Sequence, residues 1–163
     1  MIRFCPQCGA SVAIRMIEHK QRAYCPACHI VHYEHLKIGA AALVERGNSV
    51  LLMRRAHDPF LGCWNLPAGY VEADESPADA AIREAKEECG LDVRITGLLG
   101  VFFFDDDPRG NGILIVYRCE AEGEPIETSE ATAPTFFARN EIPSDIAGAG
   151  HGRALSVWLE AAG

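Results

Sequence analysis

The sequence predicts an α+β protein in which a small metal-held module precedes the main domain. Three features carry that prediction. Two Cys-x-x-Cys pairs, Cys5/Cys8 and Cys25/Cys28, lie near the start with sixteen residues between Cys8 and Cys25. Apolar runs of strand length, broken by turn residues, fill much of the chain from Lys37 onward. Among them, residues 76–90 carry both ends of one helix. Ser76 suits the N-cap, Pro77 the first helical position, Asp79 the first turn, and Gly90 the position just past the end.

The 163 residues suffice for one medium domain plus a small module, expected at 1–35 and 36–163. A hydrophobic content of 48% is that of a globular chain. The formal net charge of −8 argues against a nonspecific nucleic-acid binder, which carries a basic patch. It leaves room for a phosphorylated small molecule, because bound cations would invert the charge of a pocket. No apolar run approaches the roughly 20 residues needed to cross a bilayer, and residues 1–9 do not read as a secretory leader. A cytoplasmic protein without membrane partners is the expectation.

Taken in order, the two cysteine pairs fit a four-thiolate tetrahedral Zn²⁺ site at Cys5, Cys8, Cys25 and Cys28. The residues between them are too few for a core, so the metal would hold the module folded as a zinc ribbon. Two disulfides are the alternative. His29, His32 and His35 follow at three-residue steps and are expected at the surface, with one available as an outer partner to a thiolate. Residues 38–45 and 49–54 read as strands joined by a hairpin at Arg46-Gly47-Asn48. A loop at 57–66 leads to Trp64-Asn65-Leu66-Pro67-Ala68-Gly69. Trp64 is either a core aromatic or a stacking surface for a base.

The helix beginning at Ser76 places Glu84, Glu87 and Glu88 at i, i+3 and i+4, on one face. Such a cluster repels itself, and a divalent cation with hard oxygen ligands removes the conflict. A solvated charged face is the bland reading. The wider pattern decides between them: Gly69, then Glu75, Arg83-Glu84, Glu87-Glu88, Gly90 and Leu91, at fixed intervals across 69–91.

That pattern resembles the signature of the Nudix hydrolases at every fixed position, and the W-x-L-P-x-G approach is similar as well. The resemblance implies an α/β/α sandwich with a mixed sheet, and hydrolysis of a pyrophosphate with bound Mg²⁺ or Mn²⁺. By likeness, Glu84, Glu87 and Glu88 are metal ligands, helped by the carbonyl of Ala68. Glu75 and Arg83 match a structural salt bridge that steadies the loop. The general base differs among family members, so these glutamates and a downstream one remain alternatives.

Beyond the helix, residues 92–104 predict one or two strands and 113–121 another. The loop at 105–112, with three aspartates, Pro108 and Arg109, is either a solvated turn or a pocket rim with Arg109 reaching a phosphate. Tyr70, beside the box glycine, is a further candidate substrate contact. Glu130, ahead of a strand at 135–138, is a candidate second-metal ligand or proton acceptor, or part of a solvated loop. Asn140-Glu141-Ile142-Pro143 resembles the family's D-E-I-P turn, and 152–162 has the spacing of a packing helix. Cys63, Cys89 and Cys119 read as buried or idle thiols.

A zinc ribbon joined to a Nudix domain resembles both the NADH pyrophosphatase group and a group acting on FAD and ADP-ribose. The chain lacks the S-Q-P-W-P-F-P run of the former; Ala133-Pro134-Thr135-Phe136-Phe137 occupies that region. Its F-C-P-x-C-G start and L-P-A-G-Y-x-E stretch are similar to the latter. The expectation is a hydrolase of a nucleoside diphosphate derivative, ADP-ribose or FAD, working as a homodimer. The alternatives are an NADH or NAD-cap pyrophosphatase, a hydrolase of oxidised triphosphates, and a non-catalytic nucleotide sensor whose ribbon binds a partner.

Overall fold

A computed structural model describes residues 2–161. The chain divides into two compact units, one ending at His35 and the other beginning at Leu36. The first is a three-stranded antiparallel sheet of β1 (Ala13–Ile17), β2 (Lys20–Cys25) and β3 (Ile30–His32), in that order. Among the described residues its buried apolar positions are Cys5, Ala23 and Cys25, too few to fold it by burial.

The second unit holds a mixed sheet in the order β10-β5-β4-β9-β8: Ala131–Ala138, Ser49–Arg55, Lys37–Arg46, Gly112–Ala121 and Val93–Phe104. β4 and β9 run parallel, and every other pairing along that order is antiparallel. Two short strands, β6 (Trp64–Asn65) and β7 (Ala68–Tyr70), pair with β5 and β4. Helix α1 (Pro77–Cys89) lies on one face of the sheet and α2 (His151–Glu160) on the other. The alternation of β4 shows both layers. Ala41 and Leu43 join Leu155 and Trp158 of α2, while Ala42 and Val44 join Ala85 and Cys89 of α1. Burial on both faces explains why the central strands read as continuous apolar runs. Trp158 is fully buried and donates Nε1–H to Glu45 Oε1 at 2.8 Å, and Arg118 grips the same carboxylate at 2.9 and 3.0 Å. Burial alone would raise the Glu45 pKa, but the Arg118 bonds hold it below the ordinary value.

Several expected boundaries move. Residues 92–104 form one strand, bent by irregular register at Ile95/Gly97 and Leu98/Gly100. β10 starts at Ala131 instead of residue 135, because a bulge at 132–135 lets pairing to β5 continue past Ala133, whose φ is 49°. The loop expected at 57–66 contains β6. α2 runs from His151 to Glu160 with Ala161 as its C-cap, one residue earlier at its start than expected, and the expected end at Ala162 lies outside the described residues. The turn expected at Asn140-Glu141-Ile142-Pro143 opens on a 3₁₀ turn, Arg139–Glu141, with Ile142 as its C-cap.

Candidate active site

The local chemistry of α1 fixes the centre of the site. Ser76 accepts the Asp79 N–H, and Asp79 accepts from the Ser76 backbone, forming a full capping box. At the far end Gly90, at φ 74°, takes the left-handed conformation that closes the helix. A fixed start sets the rotation of α1, so Glu84 and Glu88 turn toward β7 and are buried.

The β7–β4 ladder determines what they meet. Ala42 N–H bonds Pro67 C=O, and Val71 N–H bonds Ile38 C=O, both at 2.9 Å. By antiparallel alternation the polar groups of Ala68 and Tyr70 point away from β4. The Ala68 N–H donates to Glu88 Oε2 at 2.8 Å, and Tyr70 C=O accepts from Arg83 Nη2 at 3.1 Å. The Ala68 carbonyl belongs to the same row. Gly69 is required by close approach: a Cβ there would stand 2.0 Å from Glu84 Oε1. A side chain at 69 would displace the carboxylate.

Arg83 gathers the remaining charges. Its Nε and Nη2 grip Glu75 at 3.0 and 2.6 Å, and its Nη1 reaches Glu84 at 2.7 Å and Glu87 at 2.9 Å. The Arg83 bonds hold the Glu75 carboxyl down to about 2, helped by the Glu72 N–H. On the two inner glutamates burial wins and acts in the other direction from the Arg83 bonds at Glu75. It raises Glu84 against the pull of Arg83, and it raises Glu88 to about 8 although Ala68 N–H opposes it.

Several of these groups line a cleft of about 220 Å³, open to solvent. Ala68, Gly69, Glu84 and Glu88 face it, and so do the sequence candidates Tyr70, Arg109 and Glu130. Glu130 is set by Ala56 N–H, which donates to its carbonyl at 3.1 Å, and by Thr128 Oγ1, which accepts its N–H. Its charge raises both Glu84 and Glu88. The acidic residues lining the cleft near α1 are therefore Glu84, Glu88 and Glu130. Glu87 stands outside the lining, held by Arg83, which relieves repulsion among like charges on one helix face.

Arg109 forms a bidentate pair with buried Asp107 at 2.7 and 3.0 Å and lies 5.3 Å from the Tyr70 ring centroid. Trp64 goes elsewhere. It is buried in the core, edge-on to Phe137 at 4.7 Å, and does not line the cleft. Its flat surface is used in packing, which corrects the substrate-contact reading. Among the cleft residues that sequence reasoning missed are Arg55, Phe60 and His151. Arg55 looked like the end of a strand, Phe60 like loop, and His151 like the residue before a helix.

In the first unit, the ligand atoms of Cys5, Cys8, Cys25 and Cys28 all lie within 4.8 Å of one another. Cys8 and Cys25 sulfurs are 3.6 Å apart, far beyond a disulfide bond and near the spacing of about 3.8 Å set by tetrahedral Zn–S bonds of about 2.3 Å. The Cys28 N–H donates to Cys25 Sγ and is the largest influence holding that thiol down, to about 7. The thiolate form is the one zinc takes.

Comparison with known proteins agrees with this geometry. The NUDIX domain profile matches residues 35–157, and the Nudix N-terminal zinc-ribbon profile matches residues 3–34. The chain belongs to the Nudix family. It is 38% identical over 113 residues to an ADP-ribose pyrophosphatase of Methanocaldococcus jannaschii, covering 68% of this chain and 67% of that protein. It is 37% identical over 144 residues to the NAD-capped RNA hydrolase NudC of Pseudomonas aeruginosa, covering 86% of this chain but only 49% of NudC. The chain thus spans about half the length of that relative. A Nudix hydrolase crystal structure from Nitrosomonas europaea superposes with a TM-score of 0.85 at 32% identity, covering 99% of this Nudix chain and 92% of the other.

Proposed function

We propose that this protein hydrolyses the pyrophosphate bond of a nucleoside diphosphate derivative, with ADP-ribose or FAD as substrate. The observation that carries the proposal is the burial of Glu84 and Glu88 together at the wall of one cleft, with Gly69 clearing space for the first. Two carboxylates in a partly dry cleft favour a cation partner, and the donors are hard oxygens suited to Mg²⁺ or Mn²⁺. Glu84, Glu88 and the Ala68 carbonyl would hold it from the cleft wall, joined by Glu87 once a cation draws that carboxylate from Arg83. When bound, such cations supply Lewis acidity toward phosphoryl oxygens and make an attacking water more acidic. Zn²⁺ would be held structurally by the four cysteines, which leave it no open position.

The chain's own residues then divide the work. Arg83, locked by Glu75, keeps the box loop and helix in register and supplies a positive charge beside Glu84. Glu130, on a loop tied to β5 and α1, accepts the proton of the attacking water. Arg109 and Tyr70 contact the substrate from the cleft wall.

The M. jannaschii relative supports ADP-ribose, while FAD rests on the sequence resemblance. NudC supports the second reading, an NADH or NAD-cap pyrophosphatase, because its likeness covers 86% of this chain, against 68% for the M. jannaschii protein. A sensor that binds without cleaving fits less well, since no box glutamate is missing. A homodimer in the cytoplasm completes the proposal.

A chromatographic panel of ADP-ribose, FAD, NADH and nucleoside triphosphates, with Mg²⁺ and with Mn²⁺, tests the reading. Cleavage of ADP-ribose or FAD to two monophosphates is expected, falling roughly 10²-fold or more in Glu87→Gln. Undiminished turnover in that variant would overturn the assignment of Glu87 to the metal. Cleavage of NADH alone would decide for the second reading.

A further inference from the structure

The cleft lining holds a second group of residues with a different chemistry from the carboxylates. Phe60, Leu114, Ala147 and Ala149 contribute rings and methyl groups, and His151 stands among them. The group is tightly built. A Cβ at Gly148 would meet the Phe60 ring at 2.6 Å, and one at Gly150 would meet Leu114 at 3.3 Å. Asp106 Oδ1 accepts the Ala149 N–H at 2.9 Å, fixing the loop from which α2 starts.

His151 is 4% exposed, yet it lines the cleft. Its Nδ1 accepts the Leu66 N–H, which makes Nδ1 the bare nitrogen and places the ring proton on Nε2. Burial, reinforced by the charge of Arg55 and opposed by Asp106, pushes its pKa down to about 3, so the ring is neutral at ordinary pH. Among the described residues no protein acceptor pairs with Nε2–H, and Nε2 is not one of the fully enclosed unpartnered atoms, so it opens onto the cleft that His151 lines. A neutral donor whose ring is fixed through its other nitrogen, and which opens onto a cleft, is available to a ligand that supplies the acceptor in place of water.

We infer that His151 is a specificity-determining residue, whose Nε2–H donates to a ring nitrogen or carbonyl of the substrate's nucleobase lying against Phe60 and Leu114. Apolar walls with one neutral, oriented donor suit a flat heteroaromatic ring. A phosphate would find stronger partners in Arg55 and in the cation that the nearby carboxylates would hold. A purely structural histidine is the competing account: the Leu66 bond explains Nδ1 but leaves Nε2 unused. The choice of a nucleobase rests on the function proposed above, while the binding test does not require hydrolysis.

The test uses the full-length protein with Mg²⁺ present. Long-range ¹H–¹⁵N spectra follow the histidine ring nitrogens, with the His151 signals assigned by their loss in His151→Gln. AMP is expected to shift the His151 Nε2 resonance, while ribose 5-phosphate, which lacks the base, leaves it in place. By calorimetry, His151→Ala should weaken AMP binding about tenfold or more without weakening ribose 5-phosphate. An Nε2 signal unmoved by AMP, or moved equally by both ligands, overturns the inference. Because the spectra are read on the wild type, instability of His151→Ala does not blunt the test. An AMP-dependent shift with no hydrolysis of any panel substrate would refute the proposed function and leave this inference standing.

Discussion

In the ribbon, four cysteine ligand atoms stand within 4.8 Å of one another. In the cleft, Glu84 and Glu88 face the open space while Glu87 is drawn aside by Arg83. The difference follows from charge. Thiols can be neutral and approach closely, whereas carboxylates on one helix face repel and turn to a cation. It also separates two uses of a metal. A closed quartet holds a fold together, and an incomplete set of oxygens leaves coordination positions for a substrate.

The largest expected effect tests the closed half of that contrast. Structural zinc sites contribute about 10 kcal/mol or more of folding free energy at neutral pH. A strong chelator, or Cys25→Ser, should unfold residues up to His35 while the strands and helices from Leu36 onward stay folded. Limited proteolysis with mass spectrometry reads this directly. A ribbon that resists protease after the zinc is removed would show that its few buried residues suffice.

The open half predicts a pH dependence of the metal-free protein. The folded-state pKa of Glu88 is raised to about 8, and Glu84 is raised as well. Between the ordinary glutamate value and about 8 the folded state binds more protons than the unfolded one. Stability must therefore fall as pH rises through that window. A tenfold difference in proton affinity between the two states corresponds to about 1.4 kcal/mol. A drop in melting temperature on the order of 5–10 °C between pH 5 and 8 is expected, for a chain in which 1 kcal/mol moves it about 2–4 °C. Mg²⁺ or Mn²⁺ should restore most of the loss at pH 8 and little at pH 5, because protons compete for the same oxygens. Stability that rises with pH in the metal-free protein would contradict the burial of these charges.

A smaller substitution tests how the open site keeps its shape. In Gly69→Ala the new methyl would collide with the Glu84 carboxylate, the mobile end of a side chain. The carboxylate should swing away, so the fold survives while activity drops, by roughly 10- to 100-fold. A variant with normal turnover would mean that Glu84 need not occupy its observed place.

What the sequence revealed follows the range of the interactions involved. The ends of α1 were legible because Ser76, Asp79 and Gly90 act on backbone groups within a few residues. The strands of the sheet were legible because β4 and β5 are buried on both faces and must be apolar throughout. The group formed by Ala68, Glu84 and Glu88 was legible through the Nudix resemblance, because one strand, one loop and one helix carry that signature. His151 and Arg55 were not, since a histidine before a helix looks the same whether or not a cleft lies beside it. His151 meets Leu66 across 85 positions of sequence, and only the packing of α2 against the sheet brings them together. Trp64 shows the reverse failure: its aromatic character was evident, but its burial beside Phe137 depended on where β10 falls.

The smallest expected effect concerns the cap that sets the rotation of α1. Ser76→Ala removes the side chain that accepts the Asp79 N–H, at a surface position where such losses cost about 1 kcal/mol. The melting temperature should fall by about 2–4 °C. Asp79→Ala should cost a similar amount, and the double variant less than the sum, because the two halves of a capping box serve each other. Activity per folded molecule should hardly change, since Arg83 independently ties α1 to Glu75 and to the Tyr70 carbonyl. If instead turnover falls much more steeply than stability, the orientation of Glu84 and Glu88 depends on the helix start itself, and the arginine clamp is not what keeps the carboxylates aimed into the cleft.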